Sequence, residues 1–234
     1  MTQKIPDLYQ VKEKMYVATD CIIFGFDSGK LKLLLFKRLV EPLKGRWSLI
    51  GSFVRLDEDI DVAGKRVLKE ITGLDNVFMQ QLKTYGKKDR DPGYRCISVA
   101  QYALISSDEH DEDLINEKKA HWFEIKDLPG LILDHEQMVQ DALEQLRNNA
   151  RYKPIGFELL PEKFTLPQLQ SLYEAIYQVK LDSRNFRKKV LSLNVLEKLD
   201  EKDKSASKRG AFLYKFDYNN YNKLRESGYH FVIA

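Results

Sequence analysis

The sequence predicts an α+β protein of two domains, an α/β/α sandwich over residues 1–150 and a smaller helical domain with a β-hairpin over residues 155–234. Three observations predict this division. Strand-like and helical segments are interleaved in the first part, whereas a helix pair and two short strands make up the second. Residues 1–150 hold 22 lysines and arginines against 25 aspartates and glutamates, a formal charge of −3, and residues 151–234 hold 16 against 10, or +6. An acidic front and a basic tail suggest a small-molecule domain joined to a nucleic-acid domain.

Composition describes an ordinary globular chain, with 43% hydrophobic and 31% charged residues among 234. No apolar run approaches the roughly 18 residues that span a bilayer, so we expect a cytoplasmic protein with no membrane partner. Cys21 and Cys96 lie far apart in strand-like segments. We expect two buried, reduced thiols rather than a disulfide or a metal pair.

Five strand-like segments and one long helix account for most of the first domain outside its central motif. We predict strands over residues 16–26, 31–38, 78–85, 95–106 and 120–124, and an amphipathic helix over 134–149. Asp20 interrupts an apolar strand, so its carboxylate must be paired in a buried hydrogen bond or contact a ligand, and both interpretations stay open. The acidic segment 107–117 is expected to be a solvated loop, with a weak cation site as its alternative.

Residues 51–74 form the motif on which the functional interpretation depends. We predict a loop followed by a helix, with Asp59 as N-cap and Gly73 as a left-handed C-cap. Ala63, Val67 and Ile71 fall at i, i+4 and i+8 on one helical face.

This stretch resembles the Nudix box, G-x5-E-x7-R-E-U-x-E-E-x-G-U, where U is aliphatic. The anchoring positions keep the residue type and spacing of the box: Glu58, Arg66, Leu68, Glu70, Gly73 and Leu74. In that register the first glycine of the box falls on Ser52, and two of its glutamates fall on Val67 and Ile71. The order of strands and helices over most of residues 10–150 also resembles the Nudix sandwich.

The resemblance implies a pocket that binds without cutting. Nudix hydrolases use the box glutamates to hold Mg²⁺ against a diphosphate, and Mg²⁺ requires oxygen ligands that Val67 and Ile71 lack. We therefore assign no catalytic residue, no metal ligand and no cofactor, and we expect no enzymatic activity. An i, i+4 ion pair with Arg66 is a simple structural explanation for Glu70. The candidate effector-binding residues are Asp20, Arg38, Trp47, Ser52, Glu58 and Glu70.

The second domain begins after a linker over residues 151–158. Thr165 and Gln168 form a predicted capping box, and Asp182 is a predicted N-cap for a second, cationic helix over residues 183–193, in which Phe186, Val190 and Leu191 can face inward. Strand candidates at 195–199 and 211–216 are joined by the basic turn 200–210. A helix pair followed by a hairpin with a basic tip predicts a winged helix-turn-helix domain. The alternative is a helical hairpin with a solvated basic face.

Arginine and asparagine on the outer face of the second helix are the residue types that contact guanine and adenine, whereas cations of the turn suit phosphates. The candidate DNA-binding residues are Arg184, Asn185, Arg187, Lys188, Lys204, Lys208 and Arg209.

The pairing of a Nudix-like domain with a winged helix resembles the Nudix-related transcriptional regulators of bacteria. That resemblance implies a homodimeric repressor that binds a palindromic double-stranded operator and releases it when an effector binds. In that family one branch senses ADP-ribose or related nucleotides and other branches sense sugars, and this chain is most similar to the L-arabinose-responsive branch. The resemblance therefore implies L-arabinose or another pentose as the effector and a role in sugar utilisation, and the lack of oxygen ligands at Val67 and Ile71 agrees with a neutral ligand. The alternatives are an ADP-ribose or nucleotide sensor that regulates NAD metabolism, an active Mg²⁺-dependent pyrophosphohydrolase, and an RNA-binding or scaffold protein.

Overall fold

The computed structural model describes residues 14–106, 119–205 and 208–227. The predicted acidic segment 107–117 lies outside these residues. Among the described residues, no helix has the length and apolar character needed to cross a membrane. Cys21 and Cys96 are buried and free, as predicted.

The first domain consists of a seven-stranded sheet and two long helices. Its helices are α1 (Ile60–Thr72) and α2 (His135–Tyr152). Its strands are β1 (Tyr16–Asp27), β2 (Lys30–Lys37), β3 (Trp47–Ser48), β4 (Ile50–Phe53), β5 (Gln80–Tyr85), β6 (Cys96–Ser106) and β7 (Ala120–Glu124). The predicted strands and helices all occur, with boundaries that differ by a few residues.

Strand β1 lies at the centre of the sheet. It pairs antiparallel with β2 and β4 and parallel with β6, in the order β3-β2-β1-β6-β5, while β7 pairs with β2. Its register with β6 runs from Tyr16 opposite Cys96 to Phe26 opposite Ser106. Residues 18–26 of β1 are buried because helices cover both faces of the sheet.

Alternate residues of β1 belong to two separate hydrophobic layers. Cys21 and Ile23 pack in the cluster that contains Val67 and Leu68 of α1. Ile22 and Phe24 belong to the opposite cluster, which contains Met138 and other residues of α2. This is the α/β/α sandwich that the sequence predicts.

The second domain is a winged helix, which confirms the predicted fold class. Its helices are α3 (Leu166–Tyr177), α4 (Ser183–Ser192) and α5 (Tyr218–Glu226), and its strands β8 (Phe164–Thr165), β9 (Leu196–Asp203) and β10 (Ala211–Phe216) form a sheet in the order β8-β10-β9. The predicted capping box at Thr165 and Gln168 is present.

Two features of this domain differ from the sequence prediction. Strand β9 continues to Asp203, because its pairing with β10 extends from Leu196 to Asp203, and the wing tip is shorter than residues 200–210. Helix α5 is not predicted, since none of its residues is buried and its sequence has a weak apolar pattern.

The two domains share one continuous hydrophobic core. Phe164, Leu172 and Tyr173 of the winged helix belong to the same buried cluster as Met138 and Leu146 of α2. A hydrogen bond from Arg147 Nε to the carbonyl oxygen of Ile176, 3.3 Å long, joins α2 to the end of α3.

The β1–β2 turn also touches the winged helix. A Cβ atom on Gly29 would lie 2.5 Å from Ser171 Oγ, and the φ of Gly29 is +78°. A larger residue in this turn is therefore excluded both by backbone conformation and by α3.

A buried ionic network fixes the start of α2 against the sheet. Asp20 Oδ2 accepts hydrogen bonds from Ser98 Oγ at 2.5 Å and from Arg90 Nη2 at 3.4 Å. Arg90, whose side chain is 3% exposed, also donates to both oxygens of Asp134, at 2.8 and 3.0 Å. Two carboxylates thus share one guanidinium, as burial of charge requires.

His135 completes this network and explains the break between β3 and β4. Its Nδ1 accepts a hydrogen bond from the backbone N–H of Leu49 at 3.1 Å, and its Nε2 lies 3.7 Å from Asp20 Oδ1. Because the Leu49 amide binds a side chain, strand pairing is interrupted at that residue, between β3 and β4. Burial of the ring lowers the pKa of His135 from its ordinary value of 6.5.

The shared core predicts that a cavity in the winged helix destabilises the Nudix-like sandwich. Both tryptophans, Trp47 and Trp122, lie in the first domain, so their fluorescence reports its unfolding. Leu172→Ala removes a side chain that is 0% exposed and should reduce the free energy of unfolding by about 2–5 kcal/mol in urea titrations followed by tryptophan fluorescence. The exposed Val179→Ala is the control. An unchanged midpoint for Leu172→Ala would show that the domains unfold independently.

The depressed pKa of His135 predicts weaker stability in mild acid. Below pH 6.5 the unfolded chain takes up a proton that the buried ring resists, so this contribution is complete above that pH and is lost as pH falls. Urea midpoints measured between pH 7.5 and 5.5 should fall for the wild type. His135→Gln keeps an oxygen acceptor for the Leu49 amide and should show a flatter dependence; identical slopes would contradict this role.

Candidate functional site

The box contains the loop and the helix that the sequence predicts, and its first residues belong to strand β4, where a loop was expected. Strand β4 leads into the loop 54–58, and α1 ends at Gly73, whose φ is +81° and whose N–H donates to the carbonyl oxygen of Lys69 at 2.9 Å. Asp59 is the N-cap residue by backbone position, but its side chain makes no capping hydrogen bond. The helix start is held by the carbonyl oxygen of Asp59, which accepts from the Ala63 N–H at 2.8 Å.

Glu58 closes the loop onto the helix. Arg66 donates to both of its carboxylate oxygens, at 2.7 Å from Nε and 2.5 Å from Nη2, and the Arg55 N–H donates to Oε1 at 2.8 Å. The hydrogen bonds from Arg66 lower the pKa of the Glu58 carboxyl to about 2. Both oxygens of Glu58 are engaged, so the residue acts as a structural clamp here.

Glu70 is held by two arginines. Its Oε2 lies 3.1 Å from Arg66 Nη1, the i, i+4 pair that the sequence suggests, and its Oε1 lies 3.2 Å from Arg55 Nη2. Arg55, Glu58, Arg66 and Glu70 together form what we call the box ion cluster. Its two positive and two negative charges balance.

The remaining metal positions of the box carry hydrocarbon side chains. Val67 is 1% exposed, and Ile71 packs partly buried against the same α1-side core. Among the described residues, no group of three or more His, Cys, Asp or Glu side chains is arranged to hold a metal ion. The donor set at the box therefore does not fit the Mg²⁺ that Nudix hydrolases use.

The other predicted effector residues fall into two separate environments. Ser52 is exposed on β4 opposite Thr19, close to the box ion cluster in the chain. Asp20 lies in the buried ionic network, 6% exposed. A Cβ atom on Gly51 would lie 2.1 Å from Asp20 Oδ1, so a glycine at this position of β4 leaves room for the carboxylate on the neighbouring strand.

Arg38 and Trp47 belong to the β2–β3 hairpin. Arg38 Nε donates to the carbonyl oxygens of Val40 and Pro42, at 3.1 and 2.7 Å, and holds the hairpin loop. Trp47 packs edge-on against Phe123, with ring centroids 4.8 Å apart. These contacts show that both residues stabilise the hairpin, and their contribution to effector binding stays a prediction.

An exposed aromatic cluster beside the box was not predicted. The rings of Phe53 and Tyr94 each lie 4.9 Å from the ring of Tyr16, and the three residues are 38%, 56% and 49% exposed, respectively. The Phe53 carbonyl oxygen also accepts from Arg66 Nη2 at 3.2 Å, which joins this cluster to the box ion cluster. Strand pairing could have indicated the Tyr16–Phe53 contact, but Tyr94 comes from a loop whose path depends on Arg90.

Guanidinium groups beside exposed aromatic rings suit an anionic ligand that carries an aromatic ring. Arg55, two residues after Phe53 and 57% exposed at its side chain, is the candidate cation that the sequence reasoning missed. Arg55 lies within the box itself, at a position where the Nudix pattern allows any residue, so the pattern alone does not single it out.

Helix α4 presents the predicted DNA-binding face. Its N-cap, Asp182, accepts a hydrogen bond from the Asn185 N–H at 2.8 Å, and Phe186 and Val190 are buried against the domain core. The four predicted base-contacting residues are all exposed: Arg184, Asn185, Arg187 and Lys188. Leu191, which we expected to face inward, is 37% exposed because it lies off the Phe186–Val190 face of the helix.

The wing carries more cations than the tip residues that the sequence indicated. Lys204, Lys208 and Arg209 are exposed, as predicted. Lys198 and Lys202 of β9 lie over the ring of Phe212, with Nζ 3.7 and 4.5 Å from its centroid. Stacking holds these two ammonium groups on one side of the hairpin.

Comparisons with known proteins match both domains. The NUDIX domain model matches residues 14–146, and the model of the NrtR DNA-binding winged helix domain matches residues 156–216. The ADPR responsive transcriptional repressor NtrR of Acinetobacter baylyi is 33% identical over 210 residues, covering 88% of this chain and 84% of the relative.

Two solved structures of Shewanella oneidensis NrtR are similar to this chain. NrtR complexed with a 27mer DNA superposes with a TM-score of 0.74 at 28% identity, covering 92% of this chain and 97% of that one. The NUDIX domain of NrtR complexed with ADP-ribose superposes with a TM-score of 0.53 at 27% identity, covering 61% and 94%.

These relatives contradict the sugar hypothesis. The Acinetobacter repressor is named for its response to ADP-ribose, and the Shewanella Nudix domain was crystallised with ADP-ribose. The expectation of L-arabinose or another pentose, and of a role in sugar utilisation, is therefore wrong. The error came from treating the loss of metal ligands at Val67 and Ile71 as the loss of any means to neutralise a diphosphate.

The agreement extends over nearly the whole chain, includes both domains in the same order, and reaches one third identity with a full-length relative. The chain therefore belongs to the NrtR family, in which a Nudix domain precedes an NrtR winged helix domain.

Proposed function

We propose that this protein is a transcriptional repressor that binds double-stranded DNA through its winged helix and ADP-ribose through its Nudix domain. One observation carries the proposal: the cationic face of α4 and the box ion cluster occur in one chain that superposes over 92% of its length on a DNA-bound NrtR. We further propose that it acts as a homodimer, because two-fold symmetry presents two recognition helices to half-sites about one helical turn apart.

The charge distribution of the winged helix supports DNA binding. Helix α4 is anchored to the domain by the buried side chains of Phe186 and Val190. Its opposite side exposes three cations, Arg184, Arg187 and Lys188. The wing cations then lie in position to contact phosphates, which supply affinity that does not depend on sequence.

The box supports binding without hydrolysis. A Nudix hydrolase needs a divalent ion to polarise the diphosphate and activate water. Here the two surviving carboxylates are paired with Arg66 and Arg55, and Val67 and Ile71 contribute no oxygen. We propose that ADP-ribose is bound and released intact, so that its occupancy reports its concentration.

For the winged helix, Arg184→Ala and Arg187→Ala should each weaken binding to a duplex selected from a random-sequence pool by roughly 1–3 kcal/mol per lost base contact. Lys65→Ala removes an equally exposed positive charge from the Nudix domain and is the matched control. Fluorescence anisotropy gives the dissociation constants. If both arginine variants bind the duplex as tightly as Lys65→Ala does, α4 is not the recognition helix.

For the Nudix domain, ADP-ribose should weaken binding to the same duplex by about 5- to 150-fold. An effector that binds preferentially to the DNA-free conformation lowers DNA affinity, and allosteric coupling between two sites typically has this size. The duplex titration is repeated with saturating ADP-ribose, and L-arabinose serves as the control ligand. Chromatography of the mixture after incubation with Mg²⁺ should show no AMP or ribose 5-phosphate. Unchanged DNA affinity, or turnover of ADP-ribose, would contradict this proposal.

A further inference from the structure

We propose that the Nudix domain binds the diphosphate of its effector without a divalent metal ion, and that the guanidinium of Arg55 provides the positive charge that the metal supplies in Nudix hydrolases. This inference rests on the proposed function, since it assumes an effector with a diphosphate. It concerns how the ligand is held rather than which ligand it is.

The first step is that the carboxylates of the box are already neutralised. Glu58 accepts two hydrogen bonds from Arg66 and one from the Arg55 backbone, and Glu70 contacts an arginine through each oxygen. A metal would have to displace these arginines from both glutamates. With Val67 and Ile71 at the other two positions, no further oxygen compensates for that exchange.

The second step is electrostatic. A site made of several glutamates repels a diphosphate unless a cation lies between them. The four side chains of the box ion cluster carry no net charge, so the two glutamates in it do not by themselves repel a diphosphate. Both the absence of glutamates at positions 67 and 71 and the presence of Arg55 therefore reduce the electrostatic repulsion of a diphosphate.

The third step distinguishes Arg55 from Arg66. Arg66 is 15% exposed at its side chain, and its Nε, Nη1 and Nη2 groups donate to Glu58, Glu70 and the Phe53 carbonyl oxygen. Arg55 is 57% exposed and donates through Nη2 to Glu70 at 3.2 Å. A guanidinium has five N–H donors in a planar fork that matches phosphate oxygens, and more than half of the Arg55 side chain is accessible to a ligand.

The clamp at Glu58 fixes where this guanidinium lies. The Arg55 N–H donates to Glu58 Oε1 at 2.8 Å, and Glu58 is held in turn by Arg66. Glu58 and Arg66 are therefore positioning residues for Arg55. Phe53, two residues earlier in the chain, has an exposed ring 4.9 Å from that of Tyr16, and such a ring suits a ligand with an aromatic group next to its phosphates.

The test is isothermal titration of ADP-ribose into the full-length protein in two buffers, one with Mg²⁺ and one with EDTA. We expect dissociation constants that agree within about twofold. Arg55→Ala should weaken binding by about tenfold or more in EDTA, as expected for the loss of a hydrogen bond to a charged group. Arg55→Lys keeps the positive charge but loses the planar fork of donors, so its dissociation constant should lie between those of the wild type and Arg55→Ala. Lys65→Ala, an exposed cation on α1, is the control.

Each outcome has a definite meaning. Binding in Mg²⁺ that disappears in EDTA would overturn metal-free binding and leave the proposed effector intact. Binding in EDTA that Arg55→Ala does not change would overturn the role of Arg55. Absence of binding in both buffers would overturn the proposed function together with this inference. Because Arg55 is exposed, urea midpoints of the variants should match the wild type, which confirms that a lost signal is not a lost fold.

Discussion

The pairing of β1 with three other strands is the constraint on which the remaining structure depends. β1 places Cys21 and Ile23 under α1 and Ile22 and Phe24 under α2, so both helical layers are positioned by one strand. The same strand carries Asp20 into the interior, where Arg90 and Ser98 satisfy it. A one-residue shift in register would exchange the two apolar faces and move this carboxylate from the α2 layer to the α1 layer, away from Arg90 and His135.

The box shows how a binding site can change its chemistry while keeping its shape. The strand, loop and helix of a Nudix box are all present, and Glu58 and Arg66 hold them together with short hydrogen bonds. Val67 and Ile71, at two positions where the Nudix box has glutamates, pack in the α1-side core. An arginine at position 55 then balances Glu70, and the site becomes neutral rather than strongly acidic. Such a surface can accept an anion that an acidic site would exclude without its metal.

The surfaces that we propose for effector and DNA binding lie on different layers of the molecule. Helix α1 packs on one face of the sheet, while α2 and the winged helix share the core on the other face. Strands β1, β2 and β6 each contribute side chains to both layers, and the ionic network joins Asp20 of β1 to the start of α2. Helix α2 then meets the winged helix directly through Arg147 and the shared apolar cluster. Packed side chains and hydrogen bonds therefore form a continuous path between the Nudix domain and the winged helix, through which binding of a ligand could affect binding of DNA.

The sequence by itself determined the local elements, because hydrophobic periodicity, helix caps and turn residues act over a few residues. It indicated β1 from its β-branched and aromatic run, α1 from its apolar face and Gly73, α3 from its capping box, and the winged helix from the helix pair and hairpin. The tertiary structure decided what depends on residues distant in the chain: that His135 accepts from the Leu49 amide between β3 and β4, that the ring of Tyr94 packs against Tyr16, and that Arg55 and Arg66 occupy both box carboxylates. A pattern of residue types shows which charges a site contains, but only their distances show which of them are already neutralised, because electrostatic and hydrogen-bond energies depend on separation and solvent exposure.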